Sequence, residues 1–230
     1  MTVELRQPLP TAEAMPAAST ASRIDRVNRG RYRTGGKRVL DIVLVLLALP
    51  AVVFVLLPFV LLVALDGGRP FYRQARLGRD ARVFGMWKLR SMVPDAERLL
   101  ESHLAAHPEA RAEWQRDQKL RNDPRITRVG RFIRRTSIDE LPQLWNVLLG
   151  DMSLVGPRPM LPEQRDLYPG IAYYAMRPGI TGYWQTSVRN ESSFAERALY
   201  DTSYFRDLSL RTDLRVLLDT VRVLAAPTGR

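Results

Sequence analysis

The residues best suited to do chemistry in this sequence are two adjacent carboxylates, Asp139 and Glu140. They sit after the basic pair Arg134–Arg135 and before an apolar run, in the stretch RRTSIDELPQLWNVLLGDMSLVGPRP (residues 134–159). Cysteine is absent and histidine is limited to His103 and His107. Disulfides, thiolate nucleophiles and cysteine-bound metals are therefore excluded, and nucleophilic or acid–base work falls on carboxylates. A plain reading of the pair is a capping box, with Ser137 as N-cap and Glu140 three positions on. Pro142 would then fall where the helix needs its N–H, so a start nearer Asp139 is easier. A carboxylate at that helix N-terminus would be kept ionised by the positive end of the dipole, which also welcomes phosphate. Consecutive helical positions diverge by about 100°, so the two carboxylates are expected to take different roles.

Cations recur in stiff frames around that pair. GPRP (156–159) holds Arg158 between two prolines, so its planar fork loses little entropy on meeting phosphate oxygens. RPGITG (177–182) repeats the pattern with Arg177 and two glycines that permit close approach to a ligand. WKLRSM (87–92) sets Lys88 and Arg90 on one side of an alternating strand, and Arg134 opens the carboxylate stretch. Each alone reads as easily as a solvated surface charge. Together they point to a polyphosphate site.

The elements that must position these residues follow from composition and order. The chain has 230 residues, 46% of them apolar, which suits one domain of ordinary size with a membrane segment and a tail. The formal net charge of +11 implies a polyanionic partner: nucleic acid, an anionic membrane surface or phosphorylated substrates. Residues 1–22, rich in Pro, Ala, Ser and Thr, read as a flexible tail. A basic stretch to residue 38 leads into VLDIVLVLLALPAVVFVLLPFVLLVAL (39–65), apolar apart from Asp41 and long enough to enter a bilayer. No secretory signal is expected, because this run starts late and lacks a small-residue cleavage site. Basic residues flank it on both sides, and Pro50 and Pro58 interrupt it. Cytoplasmic flanks are the basic ones, so the segment is expected to be re-entrant, with the two prolines as its hinge.

Beyond residue 66, strand-like stretches at 69–76 and 82–89 flank a turn at 78–80. Helical patterns cover 93–106, 109–120, 141–149, 192–207 and 209–224. There is no internal repeat. The expected fold is mainly α with a small β element. A basic tail (1–36) leads to a re-entrant membrane helix (37–66), then to a membrane-surface catalytic domain (67–230).

FYRQARLG, KLRSM, TSIDELPQLWNVLLGDMSLVGPRP and RPGITGYWQ together resemble the bacterial sugar transferases, the small monotopic polyprenyl-phosphate phosphoglycosyl transferases. The resemblance runs over about residues 37–225. Residues 190–210 look most like the exopolysaccharide-initiating galactose phosphotransferase branch. It implies a bacterial inner-membrane enzyme working at the cytoplasmic face. Asp139 would attack a UDP-sugar, release UMP and hold the sugar phosphate until undecaprenyl phosphate takes it. Glu140 would position groups or transfer a proton, Mg²⁺ would be bound by Asp139 and the substrate, and Arg134, Arg158 and Arg177 match phosphate-holding arginines. Lys37 and Arg38 match the basic pair that opens the membrane segment. Trp184, Gln185, Tyr183 and Asn190 are candidates for the base and hexose. The chain departs from the family at Phe54, where a Ser-Pro pair usually bends the helix, so the bend is displaced, divided between two prolines, or absent. Anionic lipids are expected partners and self-association is left open. A purely lipid-binding role would not need these framed motifs. Nucleic acid is excluded for want of any recognised module.

Overall fold

The computed structural model describes residues 30–65, 67–117, 120–187 and 193–225. The tail expected at 1–22 and the candidate Asn190 lie outside them. After a π-helical turn (Tyr32–Gly36), a 28-residue helix α1 (Lys37–Ala64) begins. It is long and apolar enough to cross a membrane. Its middle points large apolar side chains outward, with Phe54 81% exposed. Pro50 and Pro58 lie inside the helix, which continues through both without a break. Each proline removes an N–H and crowds the carbonyl one turn back, but its fixed φ is itself helical, so the helix can carry on through it.

Both ends of α1 are fastened to the same domain. At its start, Lys37 pairs with buried Asp213 at 2.6 Å, and Tyr32 donates to the same carboxylate. Asp41, the lone acid of the apolar run, accepts from Ser153 Oγ at 2.8 Å and from the Leu154 N–H. A carboxylate buried this deeply needs such donors. At the far end, Val63 packs with Leu89 and Ile133, Phe59 stacks on Phe132, and Arg90 donates to the Val63 carbonyl at 2.7 Å.

The antiparallel hairpin β1 (Phe71–Leu77) and β2 (Val83–Leu89) follows, in nearly the expected positions. Helices α2 (Ala96–Ala106) and α3 (Pro108–Asp117) match the two amphipathic patterns, α2 starting three residues later. Helix α4 (Arg128–Arg135) was not expected. Its sequence RVGRFIRR offers only Val129 and Ile133 at helical spacing toward the core, too little for a periodic signal. Thr127 starts it by accepting the Gly130 N–H. Helix α5 (Gln143–Leu149) is held against β2 by Asn146, 1% exposed, whose amide bonds the Trp87 N–H and the Gly85 carbonyl. The side chain thus continues the strand's hydrogen bonding where no strand lies alongside.

Parallel strands β3 (Ser153–Val155) and β4 (Gly179–Thr181) cross the interior. A single helical turn α6 (Tyr183–Thr186) and helices α7 (Arg197–Asp207) and α8 (Leu210–Ala225) complete the chain. Tyr204, Val216, Met176 and Val155 form one core cluster there. The α7 start lies later than residue 192.

Candidate functional site

The carboxylate pair lies between α4 and α5. Ser137 has a left-handed backbone (φ 57°) and its side chain caps nothing, so the capping box of the plain reading does not form. Asp139 and Glu140 belong instead to a 3-10 turn (Ile138–Glu140), with Pro142 as N-cap of α5. Asp139 therefore precedes the helix by a turn and is not its dipole-stabilised first residue. Burial raises its pKa above the ordinary carboxylate value, while Lys88 acts in the opposite direction. Lys88 Nζ reaches Glu140 at 3.2 Å and Asp139 at 3.4 Å. One strand residue thus faces both carboxylates. Its neighbour on the same side, Arg90, serves the end of α1 instead, as described above.

The glycines explain how Arg158 is presented. A Cβ on Gly179 would stand 2.1 Å from the Gly156 nitrogen, and one on Gly182 2.2 Å from the Gly156 carbonyl oxygen. Backbone bonds Gly156 N–H to Thr181 O and Gly179 N–H to Pro157 O, both 2.8 Å, close that contact. The glycines expected to approach a ligand instead let the GPRP and RPGITG loops touch each other. Arg158 then lines a cleft of about 520 Å³ with Thr136, Ser137, Glu140, Trp184 and Gln185.

Arg134 stands on the other flank, its Nε donating to Ser91 Oγ at 2.8 Å and its charge favouring the ionised form of Asp139. The structure does not bring Arg177 to the carboxylates. Its Nε donates to the Gly150 carbonyl at 2.7 Å, beside Arg38, which binds the Val147 and Leu148 carbonyls. The open carbonyls at the C-terminus of α5 draw both cations. Tyr183 also points elsewhere, donating to Asp207 at 3.1 Å and meeting Tyr204 edge-on.

Two arginines that the motifs did not single out stand in this region. Arg76, on β1, donates to the Pro159 carbonyl at 3.2 Å and is an electrostatic neighbour of Arg158 and Glu140. Arg197, at the start of α7, lies over the Trp184 ring at 4.1 Å from its centroid. Arg76 lies within the FYRQARLG motif and Arg197 within the 190–210 stretch, but neither stands in a stiff frame that would mark it as a ligand.

On the membrane-helix side of the carboxylates, Leu49, Val52, Val53 and Leu56 of α1 face Leu141, Pro142, Trp145 and Leu148 across an apolar groove. Leu141 and Leu144 line both groove and cleft. Among the described residues no cluster of three or more His, Asp or Glu side chains is placed to hold a metal. Asp139 and Glu140 do suit an ion that uses one or two carboxylates and takes its remaining ligands from substrate phosphates and water.

Fold and site define a protein with one helix long and apolar enough to cross a membrane, and with a cationic, carboxylate-bearing cleft beside an apolar groove. Residues 32–227 match the family described as Bacterial sugar transferase, and the chain belongs to that family. It is 47% identical over 199 residues to the UDP-galactose-lipid carrier transferase of Erwinia amylovora, covering 84% of this chain and 41% of that protein. It is 45% identical, with the same coverage, to the undecaprenyl-phosphate galactose phosphotransferase of Salmonella typhimurium. The exopolysaccharide production protein ExoY of Sinorhizobium fredii is 39% identical over 225 residues, 94% of this chain and 98% of that one. The chain thus spans about two-fifths of the length of the first two relatives and nearly all of the third.

Proposed function

We propose that this protein transfers a hexose-1-phosphate, galactose favoured, from a UDP-sugar to undecaprenyl phosphate, and so initiates exopolysaccharide assembly. The observation that carries the reading is the Asp139–Glu140–Lys88 cluster, whose Glu140 lines the cleft with Arg158, the cleft sharing Leu141 and Leu144 with the apolar groove. The cleft suits a nucleotide sugar; the groove suits a polyprenyl chain.

An Asp139 oxygen attacks the phosphorus that bears the sugar. The bond to the bridging oxygen breaks, and its electron pair leaves on UMP. An oxygen of the acceptor phosphate then attacks the same phosphorus and releases Asp139 as a carboxylate. Splitting one displacement into two lets a soluble donor and a lipid acceptor use the same nucleophile in turn. Lys88 favours the ionised form of Asp139 against its burial, and Glu140 positions the acceptor phosphate or takes its proton. Arg158 and Arg134 flank the pair as phosphate ligands; Arg177 would act at a distance, through the end of α5. Mg²⁺, held by Asp139 and the donor's phosphates, would offset the diphosphate charge.

Purified protein with undecaprenyl phosphate is expected to release UMP from UDP-galactose, to a lesser extent from UDP-glucose, and not from UDP-N-acetylglucosamine. Release from the N-acetylated donor alone would change the sugar and keep the reaction. No release from any donor would leave a non-catalytic, anionic-lipid-binding protein as the better account.

The same reading places α1 as a re-entrant segment, with both ends on the cytoplasmic face of the inner membrane. Support comes from the docking of Lys37, Asp41 and Val45 at one end and of Phe59 and Val63 at the other onto one domain. A straight span would separate those ends by the bilayer. The chain has no cysteine, so Arg31→Cys and Asp80→Cys report cleanly. Both are expected to resist an impermeant thiol reagent in intact cells and to react after lysis. Labelling of Arg31→Cys alone from outside contradicts the arrangement.

A further inference from the structure

Two guanidinium groups from separate parts of the chain face one indole, and a third is their electrostatic neighbour. Arg197 lies over Trp184 at 4.1 Å from the ring centroid, and Arg158 stands at 5.8 Å from the same ring. Arg76 bonds the Pro159 carbonyl, next in sequence to Arg158. None of the three forms an ion pair among the described residues, although Asp123, Asp139 and Asp213 elsewhere each pair with a cation. The carboxylate that acts on Arg197 is Asp201, which accepts from the Tyr168 hydroxyl at 2.6 Å and whose own pKa burial pushes up to about 6. The Nε–H groups of Arg76 and Arg197 are buried without a hydrogen-bond partner. Buried donors are normally satisfied, and neighbouring like charges need a counter-charge. Both arginines have lowered pKa values, first through burial and then through Arg158. A group with several anionic oxygens would satisfy the open donors and relieve the repulsion together.

We propose that Arg76, Arg158 and Arg197 form the seat of the donor's diphosphate, with Trp184 as its wall, and that they hold the phosphate that departs as UMP. The proposal rests on the reading that the donor is a UDP-sugar. Charge builds on the bridging oxygen as the bond to the sugar-bearing phosphorus breaks, and fixed guanidinium donors stabilise it there. Lys88, across the carboxylate pair, is left to the transferred phosphate. The binding of nucleotide and the chemistry of transfer are thereby divided between two sets of cations.

The test uses the full chain with whichever UDP-sugar the wild type turns over, and UMP as a product inhibitor. Arg76→Gln and Arg197→Gln are each expected to raise the donor KM and weaken UMP inhibition by about tenfold or more, with the KM for undecaprenyl phosphate unchanged. Uridine, lacking phosphate, should inhibit wild type and variants equally weakly. Arg76→Lys and Arg197→Lys keep the charge and lose the fork; they should fold even where glutamine does not, and recover part of the affinity. A rise in acceptor KM instead, or a loss of kcat with donor KM and UMP inhibition unchanged, overturns the cradle while the transferase reading stands. If the wild type releases no UMP from any UDP-sugar, both fall.

Discussion

Replacing Asp139 by Asn is expected to reduce UMP release by on the order of a thousandfold or more, as loss of a covalent nucleophile does elsewhere. Trapping of a sugar-phosphate on the protein should be lost as well. The substitution keeps volume and shape but removes the attacking oxygen's charge. It should not weaken the fold, because burial already opposes ionisation of this carboxyl. Lys88 would still have Glu140 at 3.2 Å, so the cation keeps a partner. The measurement is radiolabel transfer from a UDP-sugar donor alongside thermal unfolding of the same preparation. Loss of activity together with loss of fold would return Asp139 to a structural role. Full activity would remove it from the mechanism altogether.

Gly179→Ala is expected to damage the fold and the site together. The added methyl group would meet the Gly156 nitrogen at 2.1 Å, the Thr181 carbonyl oxygen at 2.5 Å and the Gly156 Cα at 2.6 Å. All three are backbone atoms, so no rotamer change relieves the clash; β3 and β4 must part. A loss of about 3 kcal/mol or more is expected, at the upper end for overpacking. Donor turnover should fall with it, because the same contact presents Arg158. Gly35→Ala is the control, since nothing lies within 4 Å of its Cβ position, and an effect within about 0.5 kcal/mol is expected. Denaturant unfolding in detergent compares the two. Equal stability of both variants would show that the GPRP and RPGITG loops do not depend on their close contact.

Arg197 shows the limit of motif reading most plainly. It shares its helix with Arg206, and no proline or glycine frame marks it out within the stretch 190–210. It reaches Trp184 only because α7 packs against α6. Arg177 is the converse: a cation in a stiff motif, drawn to the Gly150 carbonyl because α5 ends beside it. Helix α4 escaped notice because a short, highly charged helix has little apolar face to betray it.

By itself, the sequence determined whatever depends on neighbouring residues. The apolar run, the hairpin, most helices and the Asp139–Glu140 pair are local, since periodicity, turn chemistry and side-chain type act over a few positions. The resemblance carried by contiguous motifs, and with it the family, was legible for the same reason. Only the tertiary structure decided where each cation points. It gave Lys88 to the carboxylates and Arg90 to the end of α1, though both project from one side of the same stretch. It turned Ser137 into a left-handed hinge in place of a cap, and spent the loop glycines on each other. A long basic side chain goes to the nearest unsatisfied acceptor, and which acceptor is nearest depends on elements packed from elsewhere in the chain.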